Sequence, residues 1–189
     1  MNKQPHSSIF LLILFIGSLL LTACKKEVDT LPPATQRGLN TFGCLLNKKA
    51  WIPTGSGDPF SASFYPTGGG FFKNPDGSLN IYIKAWLDRE ELEIFLKHTT
   101  TPGIYKIDKT TYTGPSLVYA ESYGQYSLSH EFGSTEYFST DSLHTGSVTI
   151  TRADTTLGIV SGTFDMQLFQ SSSGRVMNIT KGRFDFTNH

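Results

Sequence analysis

The chain has 189 residues, with 16 Lys plus Arg balanced by 16 Asp plus Glu and a formal net charge of zero. That balance excludes the basic footprint of a nucleic-acid binder and any strong attraction to an anionic membrane surface. The length fits one ordinary domain and is enough to bury a real core.

Lys3 and His6 open the chain, and Ile9 to Leu21 is an apolar run without a charge. It falls short of the roughly 20 residues that a bilayer-spanning helix needs, so it reads as a signal-peptide core over residues 1–23; an uncleaved anchor helix is the competing reading. The run closes on Leu21-Thr22-Ala23-Cys24. This ending resembles the lipobox of bacterial lipoproteins, which implies a diacylglyceryl group on the Cys24 sulfur and a lipid bilayer as partner through acylated Cys24. Lys25 stands where an inner-membrane retention signal would carry Asp, so the resemblance favours the outer membrane, on its periplasmic face or at the cell surface. Residues 24–38 are polar and include Leu31-Pro32-Pro33, and they read as a lipidated cysteine followed by a flexible tether. Residues 39–189 then form one β-rich domain.

Thr41 to Leu46 and Lys49 to Pro53 are short β-prone runs around a tight turn at Asn47-Lys48. Cys44 reads as a small buried hydrophobe, and acylation of Cys24 would leave it without a disulfide partner. Thr54 to Asp58 and Thr67 to Gly70 read as glycine-rich loops, neither with the spacing of a phosphate or dinucleotide site. From Asn80 to His98 the residues alternate. A turn at Arg89-Glu90 would pair Leu87 with Leu92, Ala85 with Ile94 and Ile83 with Leu96, all on one face of a hairpin. A helix over Ala85 to Lys97 is the alternative.

Thr101 to Ile107 reads as a turn into a further strand. Tyr112 to Phe138 is rich in aromatic residues, and Tyr119, Tyr123 and Tyr126 are the candidate ligand-facing rings, suited to a glycan or a peptide; strand preference alone explains them too. Ile159 to Phe169 alternates as a long half-buried strand, and Ser171 to Gly174 reads as a turn. In the last strand the apolar parity flips between Ile179 and Phe184, which calls for a bulge with Gly182 supplying the extra residue.

Four stretches carry a resemblance: Leu31-Pro32-Pro33-Ala34-Thr35-Gln36; Thr41 to Asn47 with Trp51-Ile52-Pro53; Val160 to Asp165; and Ile179 to Asp185. Together they resemble a family of small uncharacterised lipoproteins, the domain-of-unknown-function family six-two-five-two. The resemblance implies fold and location and transfers no catalytic residue. The chain departs from the pattern at Lys48, where the family has Gly in an Asn-Gly turn.

No residue set specifies a reaction. His98, His130, His144 and His189 are widely spaced, so no metal site and no cofactor is expected. Asp165 and Asp185 could converge on paired strands as acid and base of a glycan-directed hydrolase, although solvent-facing strand carboxylates are far commoner. Asp29-Thr30-Leu31, Asp141-Ser142-Leu143 and Asp154-Thr155-Thr156 resemble the three-residue acceptor of an O-glycosylation system in some envelope proteins. The expectation is therefore an all-β domain, an antiparallel sandwich or partly closed barrel of about 8 to 11 strands. Its function would be non-enzymatic binding of a glycan, a peptide or an envelope protein, with no nucleic acid among its partners.

Overall fold

The computed structural model describes residues 27–55, 65–111, 120–131 and 133–187. A turn of 3-10 helix, Glu27–Thr30, precedes β1 (Thr41–Leu46), β2 (Lys49–Trp51), β3 (Thr67–Lys73), β4 (Leu79–Leu87) and β5 (Glu90–Leu96). After these come β6 (Gly103–Ile107), β7 (Tyr123–Ser129), β8 (Thr135–Ser139), β9 (Gly146–Asp154), β10 (Ile159–Gln170) and β11 (Arg175–Thr187). The strands form one antiparallel sheet in the order β2-β1-β11-β10-β8-β7-β5-β4-β3, curled into a half-barrel. The all-β expectation therefore holds.

The sheet forks at β10. Residues Ile159 to Met166 pair with β9, while Phe169 reaches Ser139 of β8; β6 adds an outer strand to β9. The curl brings the far ends together. Gly55 bridges to Leu87, and the Trp51 indole N–H donates to the Glu90 carboxylate.

Alternation along each strand fills the concave side. Ile81, Ile83, Ala85, Leu92, Ile94 and Leu96 are all fully buried, as are Cys44 and Leu168. Phe42, Phe164, Phe184 and Phe186 stack through the centre, with Phe42 and Phe164 ring centroids 5.3 Å apart. Each such ring or aliphatic side chain contributes about 1.5–3 kcal/mol by leaving water. Burial, with a smaller push from the Glu90 charge, raises the Cys44 thiol pKa to about 12, in keeping with an inert core residue.

Five local expectations meet the structure with differing results. The β4–β5 hairpin has the expected aliphatic face, but its pairs are Ala85 with Leu92, Ile83 with Ile94 and Ile81 with Leu96. The turn is Asp88-Arg89 rather than Arg89-Glu90, because Asp88 takes the left-handed conformation at φ 53° and Leu87 closes directly on Glu90. At Asn47 and Lys48 both φ angles are positive, 48° and 73°, so the turn keeps the geometry of an Asn-Gly turn with lysine in the glycine position.

The bulge in β11 is present: Phe164 faces Gly182 and Met166 faces Ile179, so two residues oppose one. The left-handed residue there is Lys181, at φ 56°; Gly182 instead leaves room for the Phe164 ring, which an added Cβ would meet at 2.5 Å.

Thr67 to Gly70, expected as a loop, belongs to β3. Gly69 at φ 150° lies so close over β4 that a Cβ would come within 2.3 Å of the Tyr82 carbonyl oxygen, so the glycines permit the pairing they had suggested against. The stretch assigned as tether is also packed from Leu31 onward. Leu31 is 7% exposed, and Pro32 lies over Gly43, where a Cβ would meet its ring at 2.7 Å. Residues 31–39 form a strap across the convex face of β1, β11 and β10.

Candidate functional site

The strap is held by one side chain. Asp185 pairs with Ser161 across β10–β11 and is 1% exposed. Its Oδ2 accepts the Thr35 hydroxyl at 2.5 Å and the amides of Arg37 and Leu39 at 3.0 and 3.3 Å; its Oδ1 accepts the Gly38 amide at 2.7 Å and the Ser161 hydroxyl at 2.7 Å. Burial pushes its carboxyl upward, but the bonds from Thr35, Ser161, Gly38 and Arg37 outweigh it and hold the pKa down at about 2.

Asp165 is exposed, and its Oδ1 accepts the Lys181 amide at 2.8 Å, capping the bulge. The pairing of Asp185 with Ser161 puts the two carboxylates four residue steps of β10 apart, about 13 Å at strand rise. That exceeds the separation of a glycosidase pair. The two aspartates do not converge, and each already serves the backbone.

Among the tyrosines singled out, Tyr119 lies outside the described residues. Tyr123 and Tyr126 are core side chains rather than exposed rings. Tyr126 faces the concave core against Phe138, ring centroids 6.0 Å apart. Burial and then the Glu90 carboxylate raise its phenol pKa. Tyr123 lies under cover on the convex face with Phe95 and Ala120, and donates its hydroxyl to Glu93. Glu93 in turn bonds Lys84 at 3.0 Å, and Lys84 bonds Glu91 at 2.8 Å. Burial pulls the Lys84 pKa down, but Glu91, Tyr82 and Glu93 outweigh it and hold the ammonium charged. This network is closed on itself.

Of the concavities among the described residues, two lie against the tyrosine-bearing strands β7 and β8. The first is a cleft of 450 Å³ at the barrel mouth, between Leu46, Lys49, Trp51, Leu87, Glu90 and Tyr126. Glu90 follows the inward parity of Leu92, Ile94 and Leu96, which is the signal that could have found it. Its carboxylate takes the Trp51 indole N–H, so it ties β2 to β5, and its charge faces the Tyr126 phenol of β7.

The second is a groove of 420 Å³ on the convex face. Its floor is a row across three strands: Gln125 faces Ser139, and Ser139 faces Phe169. At strand spacing that row is about 10 Å wide. Thr110 and Thr111 border the groove, with Ser171, and Tyr137 stands over it with 56% of its surface exposed. Phe169 is fixed from behind by the His144 ring, stacked at 4.5 Å. None of the lining residues is charged. A row of hydroxyls and an amide beside an open tyrosine ring suits a neutral ligand that offers both hydroxyl groups and an apolar face. Among the described residues no three His, Cys, Asp or Glu side chains gather as a metal set.

The family model DUF6252, a domain of unknown function, matches residues 72–186. The chain belongs to that family. No curated protein and no solved structure matches the chain. All seven groove residues lie inside the DUF6252 span, whereas the strap from Leu31 to Leu39 and the first two strands precede it.

The groove residues escape a reading of the sequence because they come from the segment before β7, from three strands and from the turn after β10. Gln125 and Tyr137 lie within the aromatic stretch Tyr112 to Phe138, and of the two only Tyr137 is one of its rings.

Proposed function

We propose that this chain is an envelope lipoprotein, held to the outer membrane through acylated Cys24, whose β domain is a non-enzymatic binding module for neutral, hydroxyl-rich ligands of the glycan class. The observation that carries the binding reading is the convex groove, uncharged throughout and overlooked by the exposed Tyr137. Hydroxyl and amide groups at Gln125, Ser139 and Thr110 can exchange hydrogen bonds with sugar hydroxyls, and the tyrosine ring can cover the apolar face of a pyranose. The lipid anchor rests on Leu21-Thr22-Ala23-Cys24, outside the described residues.

Titration calorimetry of the full chain against neutral oligosaccharides tests the binding reading. Saturable binding that weakens about tenfold in Tyr137→Ala and Gln125→Ala supports it; binding unaffected by both variants, or none across the panel, overturns it. Radiolabelled palmitate incorporation that is lost in Cys24→Ser tests the anchor separately.

A further inference from the structure

Three tripeptides share the pattern of Asp followed by a hydroxyl residue: Asp29-Thr30-Leu31, Asp141-Ser142-Leu143 and Asp154-Thr155-Thr156. The structure separates them. In the β8–β9 connection Asp141 Oδ1 accepts the amides of Leu143 and His144 at 2.8 and 2.6 Å. In the β9–β10 connection Asp154 Oδ1 accepts the amides of Thr156 and Leu157 at 3.2 and 2.9 Å. Both aspartates therefore clamp the backbone two and three residues on, in the same Asx turn.

The second carboxylate oxygen is anchored too. Asp141 Oδ2 lies 3.1 Å from the His144 ring nitrogen, and Asp154 Oδ2 accepts the Arg152 guanidinium at 2.9 Å. The residue after each aspartate is left open to solvent. Ser142 and Thr155 are exposed and have no hydrogen-bond partner among the described residues, and the position that follows each is exposed as well, Leu143 to 84%. In the third tripeptide Leu31 is buried in the strap, so an enzyme could not engage it in the folded chain.

We infer that Ser142 and Thr155 are acceptor sites for O-linked glycosylation of the folded domain. The donor is a glycosyl phosphate: its anomeric C1–O bond to phosphate breaks as the Ser142 or Thr155 oxygen forms the new C1–O bond. The phosphate leaves with the electron pair, and the hydroxyl proton passes to a base of the transferase. A sugar fits these positions better than a phosphoryl group, because phosphate beside the fixed carboxylate of Asp141 or Asp154 would meet like-charge repulsion. A neutral sugar meets none and can donate hydroxyls to the carboxylate. The two turns cap opposite ends of β9; the Ser142 turn leads into the half of β9 that pairs with β6, whose outer edge has no strand partner among the described residues, so a glycan there would lie near that edge.

The inference rests on the envelope reading for the compartment alone, and mass spectrometry of the full chain purified from its own host tests both at once. The expected result is a sugar mass on the peptides containing Ser142 and Thr155. Each addition should be lost in Ser142→Ala or Thr155→Ala respectively, with Thr30 unmodified. Asp141→Asn should lower occupancy at Ser142 at least fivefold while thermal unfolding stays unchanged. Unmodified Ser142 and Thr155 overturn the inference, as does equal modification of Thr30. An acylated Cys24 peptide in the same digest shows that the anchor reading survives such a failure.

Discussion

The Oδ1 atom of Asp185 accepts the amide of Gly38 at 2.7 Å, joining the segment before β1 to the last strand of the sheet. Five donors converge on this carboxylate, so its charge is worth more folded than unfolded. Its folded pKa of about 2 lies below the ordinary aspartate value, so the contribution is complete above about pH 4 and lost as pH falls toward 2. Unfolding free energy should drop by about 2 kcal/mol across that window. Asp185→Asn should flatten this part of the profile and cost about 2–4 kcal/mol at neutral pH, read by urea denaturation.

Leu31→Ala tests whether the strap belongs to the fold. A free tether residue would tolerate the change, whereas a docked leucine should cost about 2 kcal/mol in the same assay.

Lys48 occupies a left-handed position at φ 73° where glycine carries no penalty. Lys48→Gly should raise stability by about 0.5–1 kcal/mol, shifting the denaturation midpoint without changing its slope.

Gly69→Ala places a methyl group against the Tyr82 carbonyl oxygen. The expected cost is about 1–3 kcal/mol, with faster hydrogen exchange confined to β3 and the facing part of β4.

The sequence carried which face each strand buries better than which residues pair. Parity put Ile81, Ile83, Ala85, Leu92, Ile94 and Leu96 on one side, and the flip between Ile179 and Phe184 located the bulge. Parity cannot fix register, because a slip of two residues keeps every facing; that is how the β4–β5 pairs came out displaced. Thr67 to Gly70 reads as a loop because glycine counts against a strand by propensity, while in the fold its lack of a Cβ is what lets two strands lie close. The strap was hidden because its anchor, Asp185, lies 147 residues from Gly38 and also fits a surface aspartate. The groove was hidden for a related reason: Gln125, Ser139 and Phe169 become neighbours only through pairing across β7, β8 and β10.

The docked Leu31 sets a leash length. It lies seven residue steps from Cys24, a reach of at most about 23 Å, whereas slack up to residue 38 would give about twice that. The thirteen residues of β11 alone extend about 40 Å. A domain held at Cys24 thus cannot swing clear of the lipid by even the length of its own longest strand. With Cys24 acylated as proposed, a ligand of the convex groove would have to come to the membrane's edge to be met.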